Sequence, residues 1–417
     1  MQQILIGILG MALILGIAFA LSRSRRDINW RIVGSAFALQ AAIAAFALYL
    51  PWGRAAMAWI AGGVSALLGF SRAGIEMVFG GLTEVNGVAS FAVNILPIIV
   101  FFSALVSILY YLGVMQFIVR WGGGALRLLL GVDRVEGLYA AANVLVGQSE
   151  SPLVVRGYLR RLTDAQIFTL MVVGMAGVAG SILAAYAQMG VRIEYLLAAA
   201  FMSAPGGLLM AKIIMPDVRA APAPEADEDV QAIALAEAAE PEEPRAANII
   251  MAAYNGTEDG VKLAVAVGAM LVVFVALIAL ANGIVGGIGG LFGYGDLSFQ
   301  RILGWVFSPV MWMLNVPWSE AQKAGELFGE KLILNEFVAY LHYGEVRDSL
   351  SPRTQAVLTF ALCGFANISS IAIQMGVLGG LAPERRPTIA RLGLLAVAAG
   401  SLANLMSAAM AGLMIGG

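Results

Sequence analysis

The sequence predicts an all-α integral membrane protein with eight transmembrane helices, two re-entrant helical hairpins, interfacial helices and an inverted repeat. Of its 417 residues, 60% are hydrophobic and only 12% are charged, about half the roughly 25% charged residues of a soluble domain. Apolar runs long enough to cross the hydrocarbon core recur along the chain. Two carboxylates, Glu150 and Glu336, nevertheless lie within otherwise apolar sequence, one in each half.

Eight stretches combine the length and the apolar composition of a transmembrane helix. They cover about 3–21, 31–50, 91–115, 166–189, 193–214, 261–283, 354–378 and 388–413. Arg23, Arg25 and Arg26 follow the first span instead of preceding it, which is the reverse of a signal peptide. Because short cytoplasmic loops are enriched in arginine and lysine, this loop is predicted to be cytoplasmic and both chain termini to lie on the outer side.

Four further segments are not ordinary spans. Residues 53–80 and 299–315 are apolar but interrupted, and they predict interfacial helices on the outer side of the membrane. Residues 136–158 and 320–345 are more polar and broken, and they predict re-entrant hairpins. Irregular backbone at membrane depth is tolerated only where it is buried in protein or lines a cavity, so the hairpin tips are expected to face a binding site.

The order of these segments divides the chain into four parts. Residues 1–90 are predicted to form N-terminal scaffold helices, and residues 215–260 an acidic, proline-rich cytoplasmic linker. Residues 91–214 and 261–417 each contain a span, an interfacial segment, a hairpin and two spans. Five crossings of the bilayer separate corresponding elements, so the second copy is inverted. Inverted repeats with broken elements at mid-membrane are typical of secondary transporters.

Polar residues concentrate at the two hairpin tips and in the middle of two spans. The tips contain GQSESP, with Glu150, and NEF, with Glu336, while the spans contain GVAGSIL at 177–183 and GFANISS at 364–370. Charged groups inside a membrane usually mark a substrate or ion pathway. With carboxylates, amides and hydroxyls but no lysine or arginine at its centre, the set favours a neutral, polyhydroxylated solute. Its members are Asn143, Gln148, Ser149, Glu150, Ser181, Glu336, Asn367, Ser369 and Ser370.

The composition argues against several other classes of protein. A net charge of −2 gives no basic surface for nucleic acid. The single cysteine, Cys363, excludes an internal disulfide, and the single histidine, His342, cannot form a histidine metal site alone. An enzyme with Glu150 and Glu336 as an acid–base pair is disfavoured, because the sequence has neither a metal cluster nor a phosphate-binding glycine motif. No cofactor is predicted.

Four segments resemble the concentrative nucleoside transporter family. They are ANVLVGQSESPLVVR within 141–156, AGSILAAYA at 179–187, NEFVAY at 335–340 and CGFANISSIAIQMG at 363–376. The resemblance extends over nearly the whole chain and matches the shorter bacterial form of the family. It implies cation-coupled uptake of nucleosides such as uridine, cytidine and adenosine across a bacterial inner membrane. It also implies a homotrimer in which a transport domain moves like an elevator against a scaffold.

The resemblance assigns roles to individual residues. The implied nucleoside-binding residues are Gln148, Ser149, Glu150, Glu336, Phe365, Asn367 and Ser370. The first three would contact the nucleobase, Phe365 would pack against it, and the other three would hold the ribose hydroxyls; relatives commonly have threonine in place of Ser149. The implied sodium site consists of Asn143, Val146, Ser181 and Ile182, with backbone carbonyls from Val146 and Ile182.

Several alternatives stay open at this point. Sodium is favoured as the coupling ion by Asn143 and Ser181, but a buried Glu150 or Glu336 with a raised pKa could carry a proton instead. A nucleobase or small polyol carrier is the nearest rival within the transporters. A membrane protein that binds nucleosides without transporting them is a further alternative.

Overall fold

The computed structural model describes residues 2–85, 88–89, 91–217 and 246–415, and these are almost entirely helical. A pair of two-residue strands, β1 (Glu84–Val85) and β2 (Val88–Ala89), forms a small antiparallel ladder. Most of the predicted acidic linker, at 218–245, lies outside the described residues. The predicted all-α class is therefore confirmed for the part of the chain that the structure describes.

The first eleven helices precede the linker. They are α1 (Gln2–Ala20), α2 (Trp30–Ala44, continued by a π-helical turn at Ala45–Tyr49), α3 (Pro51–Phe79), α4 (Phe91–Asn94), α5 (Leu96–Tyr111), α6 (Val114–Leu130), α7 (Arg134–Val146), α8 (Ser151–Val154), α9 (Asp164–Ala176), α10 (Gly180–Gln188) and α11 (Ile193–Ile214).

Seven helices follow the linker. They are α12 (Ile249–Leu291), α13 (Phe299–Met313), α14 (Trp318–Ile333), α15 (Glu336–Val346), α16 (Pro352–Leu362), α17 (Ser369–Leu381) and α18 (Arg386–Met414). Short 3₁₀ turns lie at Gly80–Thr83, Arg156–Tyr158, Arg347–Ser349 and Pro383–Arg385.

Among the described residues, eight helical stretches are long and apolar enough to cross a membrane. The number of these stretches equals the number predicted, but they are not all the predicted ones. The stretch Pro51–Thr83 qualifies, although 53–80 is predicted to be interfacial. The predicted span 354–378 does not qualify, because residues 363–368 leave the helical path and divide it into α16 and α17.

The helix α12 is far longer than the span predicted for it. It extends over 43 residues, about 65 Å at 1.5 Å per residue, and it begins inside the region assigned to the linker. Asn248 starts it by accepting a hydrogen bond from the amide of Met251 at 2.9 Å. The predicted span at 261–283 is therefore too short at both ends.

The centre of the protein consists of α9, α10, α11 and α18. In their apolar windows 83–89% of residues are buried, against 17–22% for α1, α5 and α12. The peripheral helices thus expose most of their apolar side chains, as expected of surfaces that face lipid or other subunits. The buried helices bring together the segments that contain the predicted site residues.

Both segments predicted as hairpins are pairs of helices with an interruption between them. The helices α7 and α8 are separated at 147–150, and α14 and α15 at 334–335. The central spans are interrupted as well, at 177–179 between α9 and α10 and at 363–368 between α16 and α17. The same order of broken elements occurs in both halves, whereas the re-entrance of the hairpins and the four-part division of the chain stay predictions.

Candidate functional site

The interruptions of the two central spans are hydrogen-bonded to each other. The amide of Phe365, between α16 and α17, donates to the carbonyl of Gly177, which follows α9, at 3.1 Å. The amide of Ile368 donates to the carbonyl of Leu332 in the last turn of α14 at 3.3 Å. Helix termini leave backbone groups without intrahelical partners, and here the freed groups of one segment satisfy those of another. The irregular segments consequently meet in one region.

Glu336 lies at the centre of this region, in the first turn of α15. Its side chain is 5% exposed, and it accepts hydrogen bonds from the hydroxyl of Tyr186 at 2.9 Å and from Nδ2 of Asn367 at 3.1 Å. Asn335 begins this helix, since its side chain accepts from the amide of Val338 at 2.9 Å. The carboxylate is therefore held between the first and second halves of the chain.

A chain of polar side chains connects the first hairpin to α17. Nε2 of Gln374 donates to Oε1 of Gln148 at 2.8 Å, and Nε2 of Gln148 approaches Oγ of Ser370 at 3.2 Å. Ser370 donates in turn to the carbonyl of Phe365, whose ring is half-buried. Three predicted site residues from two distant parts of the sequence are thus within one hydrogen-bonded network.

Asn367 organises the start of α17. Its Oδ1 accepts from the amide of Ser370 at 2.9 Å and from the hydroxyl of Ser369 at 2.7 Å. Its Nδ2 is left to contact Glu336. Because an amide offers both donors and acceptors, one side chain both begins the helix and orients the carboxylate.

Ser149 and Glu150 lie apart from this buried network. Both are exposed at the tip between α7 and α8, whereas their neighbour Gln148 is 2% exposed. The electrostatic neighbours of Glu150 include Tyr110 on α5 and Asp259 on α12. The structure therefore brings Gln148 together with Glu336, Asn367 and Ser370, but it does not bring Ser149 and Glu150 there.

The four residues predicted to bind sodium belong to two adjacent helix ends. Asn143 and Val146 lie in the last turn of α7, and Ser181 and Ile182 in the first turn of α10. The two ends are in contact, because a Cβ added to Gly180 would lie 2.7 Å from the carbonyl oxygen of Leu145. The C-terminal end of a helix favours cations.

Asn143 is fully buried and already has protein partners. Its Nδ2 donates to the carbonyl of Val173 at 2.9 Å, and its Oδ1 accepts weakly from the hydroxyl of Ser151 at 3.4 Å. The amide oxygen is therefore directed toward the hairpin tip, where its weak contact with a hydroxyl leaves it able to accept from another group. Carbonyl, amide and hydroxyl oxygens are hard ligands suited to a small hard cation.

Several residues of the site were missed by the sequence analysis. Tyr186 and Gln374 both lie inside the motifs that carry the family resemblance, four residues beyond Ile182 and Ser370 respectively, on the same helical face. That spacing was the available signal. Asn404, in α18, gives no comparable signal, because a single polar residue in a small-residue helix is also expected from close helix packing.

One buried basic residue lies beside the polar set. The set itself contains no lysine or arginine, but Lys331 is fully buried nearby in α14. Its Nζ donates to Oδ1 of Asn404 at 2.9 Å, and it interacts electrostatically with Glu336. A buried polar group is rarely stable without a partner, and Asn404 supplies one for Lys331.

Three family models match consecutive parts of the chain. They describe the Na⁺-dependent nucleoside transporter N-terminus at residues 9–82, nucleoside recognition at 92–192 and the Na⁺-dependent nucleoside transporter C-terminus at 195–412. The last alone covers more than half of the chain. Together they include all the predicted site residues.

Two bacterial proteins and one solved structure are similar over their whole length. The uncharacterized transporter YutK of Bacillus subtilis is 47% identical, with 99% of this chain and 100% of that protein covered. The nucleoside permease NupC of Helicobacter pylori is 44% identical, with 99% and 98% covered. The structure of CNTnw in an inward-facing substrate-bound state aligns with a TM-score of 0.91 at 47% identity and covers 99% of this chain and 98% of that one.

Proposed function

The chain belongs to the concentrative, Na⁺-dependent nucleoside transporter family, and from this premise we propose that it carries nucleosides into the cell together with sodium ions. The observation that carries the proposal is the meeting of the irregular segments described above. It brings the network around Glu336 next to the helix ends that hold Asn143 and Ser181. Binding sites built from broken helices near the membrane midplane are typical of secondary transporters.

The nucleoside site that we propose uses residues from both hairpins and from the α16–α17 interruption. Its members are Gln148, Ser149, Glu150, Glu336, Phe365, Asn367 and Ser370. Glu336 and Asn367 would receive the ribose hydroxyls, since a carboxylate accepts from two neighbouring hydroxyls and an amide both donates and accepts. The ring of Phe365 would pack against the base. Ser149 and Glu150 would reach the base once the α7–α8 tip closes over it.

The same network supports a neutral substrate. Lys331 does not project into the polar network, because its Nζ is bound to Asn404. An anionic substrate would bring a second negative charge next to the carboxylate of Glu336, and like charges at close distance in a medium of low dielectric repel strongly. A nucleoside brings hydroxyls and a flat ring but no charge. This favours a nucleoside over a nucleotide.

The cation site that we propose lies between the last turn of α7 and the first turn of α10. Oδ1 of Asn143 and the hydroxyl of Ser181 would coordinate sodium together with the carbonyls of Val146 and Ile182. A cation there would join the first hairpin to the central span. Because the substrate is neutral, the cation must supply the driving force: moving one charge through 100 mV contributes about 2.3 kcal/mol, or roughly fortyfold to fiftyfold accumulation.

The remaining features of the proposal concern the assembly. We propose a multi-pass protein of the bacterial inner membrane, with both termini on the outer side, that works as a homotrimer by an elevator-type movement. The exposed apolar faces of α5 and α12 are compatible with burial against lipid or neighbouring subunits.

Uptake of radiolabelled uridine into proteoliposomes tests this proposal. The purified protein is reconstituted, and uptake is compared under an inward sodium gradient, an inward proton gradient and neither. We expect accumulation with sodium alone, and competition by adenosine and cytidine but not by free uracil. Accumulation with protons alone would mean that a proton carried by a carboxylate, and not sodium, drives uptake. Inhibition by uracil would favour a nucleobase carrier. Binding of uridine without accumulation under any gradient would overturn the transport proposal.

A further inference from the structure

The side chain of Asn404 contacts both interruptions of the central spans. Its Nδ2 donates to the carbonyl of Ala176, the last residue of α9, at 2.7 Å and to the carbonyl of Cys363, just after α16, at 3.1 Å. Its Oδ1 accepts from Nζ of Lys331 at 2.9 Å. Asn404 is 2% exposed. One amide group therefore connects α18 to the ends of three other helices.

The orientation of this amide follows from the chemistry of its partners. An ammonium group only donates hydrogen bonds and a backbone carbonyl only accepts them. The amide oxygen must consequently face Lys331, and its two hydrogens must face the two carbonyls. Gly364 makes the approach possible, because a Cβ at that position would overlap the amide group. Both hydrogens have partners only while the two interruptions keep their present separation.

The two carbonyls belong to segments with different proposed ligands. Ala176 precedes the interruption that leads to Ser181 and Ile182, where we place the cation. Cys363 precedes the interruption that holds Phe365 and Asn367, where we place the nucleoside. The hydrogen bond between Phe365 and Gly177 joins the same segments through the backbone. A ligand that fixes one interruption therefore also restricts the other.

We propose that Asn404, held by Lys331, is a positioning residue that couples cation binding to nucleoside binding. This inference rests on the symport proposed above. Neither ligand needs to touch Asn404. Each ligand favours the arrangement in which both amide hydrogens are satisfied, so each lowers the cost of binding the other. By thermodynamic linkage the effect must be equal in both directions.

The variant Asn404→Asp tests this inference. It keeps the size of the side chain and an acceptor for Lys331, but it removes both donors to the interruptions. Ser407→Ala is the matched control, because Ser407 lies one turn further along α18 and is 3% exposed. Its hydroxyl accepts from Nε2 of Gln40 at 2.9 Å and has no part in the interruptions. The dissociation constant of uridine is measured by calorimetry on purified protein, in sodium and in choline.

We expect sodium to tighten uridine binding by a factor within about 5 to 150 in the wild type and in Ser407→Ala, the usual range of coupling. In Asn404→Asp the factor should fall below about 2 while uridine still binds. An Asn404→Asp variant with the wild-type factor would overturn the inference and leave the symport proposal intact. A wild type in which sodium has no effect on uridine binding would overturn both.

A measurement on the wild type keeps the inference testable if the variant does not fold. Amide hydrogen exchange in residues 363–370 is compared with and without sodium, in the absence of nucleoside. This segment contains none of the proposed sodium ligands. We expect sodium to slow exchange there, since it fixes the interruption to which Phe365 is bound. If sodium slows exchange in residues 177–183 but leaves it unchanged in residues 363–370, the proposed coupling is wrong.

Discussion

The hydroxyl of Tyr186 donates a hydrogen bond of 2.9 Å to Oε1 of Glu336, and so joins α10 in the first half of the chain to α15 in the second. The tyrosine ring is itself fixed by two neighbouring rings. It packs edge-on against Phe337, with centroids 5.7 Å apart, and at a tilt against Tyr340, with centroids 4.5 Å apart. The proposed ribose acceptor is thus oriented by a rigid aromatic cluster. Groups held by packed neighbours lose little freedom when a ligand binds.

The first prediction concerns Tyr186→Phe. This change removes one donor to Glu336 and leaves the ring in place, so we expect uridine affinity to fall about tenfold, or about 1.4 kcal/mol. Tyr340→Phe is the control, because its hydroxyl donates to the carbonyl of Thr359 at 2.7 Å and does not bond Glu336. Calorimetric binding of uridine to both variants checks the prediction. Equal losses in the two would assign the effect to packing in the aromatic cluster.

The second prediction concerns Glu336→Gln. The amide has nearly the same shape as the carboxylate, but an NH₂ group, which donates, replaces one of the two acceptor oxygens. One acceptor is therefore lost for the ribose hydroxyls and the hydroxyl of Tyr186. We expect uridine binding to weaken at least tenfold, while the protein still elutes as the wild type in size-exclusion chromatography. Glu326→Gln is the control: Glu326 lies in the preceding helix and accepts from Lys323, so this variant should bind uridine normally. Unchanged uptake by Glu336→Gln would show that the ribose assignment is wrong.

The lengths of the apolar runs and the polar residues between them were sufficient to predict most helices. The span predicted at 193–214 coincides with α11, and the one at 388–413 lies within α18. Arg192 and Asp217 flank the first apolar run, and Arg385 and Arg386 precede the second. The interruption at 334–335 was also predictable. Asn and Glu after an apolar run combine an N-cap residue with an acidic first turn, and both favour the start of a new helix.

Other features depend on contacts that are distant in sequence. The burial of Lys331 depends on Asn404, 73 residues away, because the side-chain oxygen of Asn404 accepts a hydrogen bond from the lysine. The interruption at 363–368 is stabilised by Asn404 and by Gly177, neither of which a local pattern reveals. Hydropathy indicates which residues suit a membrane but not where a helix ends. For this reason α12 extends beyond its predicted span into polar sequence at its N-terminal end.

The third prediction concerns Ser181→Ala. The hydroxyl is one of the proposed sodium ligands, so its loss should raise the sodium concentration for half-maximal uptake several-fold while the maximal rate changes less. Ser308→Ala is the control, since its hydroxyl donates only to the carbonyl of Gly304 within α13. Uridine uptake into proteoliposomes is measured across a sodium series. An unchanged sodium requirement in Ser181→Ala would remove this residue from the cation site.

The fourth prediction concerns deletion of residues 222–244. The deletion removes half of the acidic, proline-rich linker but retains Asp217, which bonds the buried Lys212 at 2.6 Å. We expect uridine uptake within about twofold of the wild type, because low-hydrophobicity, charged segments contribute little to a packed core. Uptake and membrane insertion are measured together. Normal insertion with abolished uptake would mean that the linker has a function beyond connecting the two halves.

The fifth prediction compares Gly147→Ala with Gly113→Ala. Both glycines have positive φ angles, 74° and 80°, but their ψ angles differ. Gly113 is left-handed helical, where an alanine costs about 1–2 kcal/mol, whereas Gly147 has a ψ of −176°, in a region that is essentially restricted to glycine. Only at Gly147 would the new methyl collide with another segment, 2.8 Å from Cβ and 3.0 Å from Cα of Ala179, whereas nothing lies within 4 Å at Gly113.

The collision would separate the first hairpin from the α9–α10 interruption, and so Asn143 from Ser181. We therefore expect Gly147→Ala to lower the apparent melting temperature further than Gly113→Ala does, because its backbone strain and an overpacking cost of about 1–3 kcal/mol add together. It should also be the only one of the two to lose sodium-dependent stabilisation. Thermal unfolding followed by fluorescence, with sodium or choline present, measures both effects. Sodium-dependent stabilisation that survives unchanged in Gly147→Ala would mean that the contact between the hairpin tip and Ala179 does not hold the cation site together.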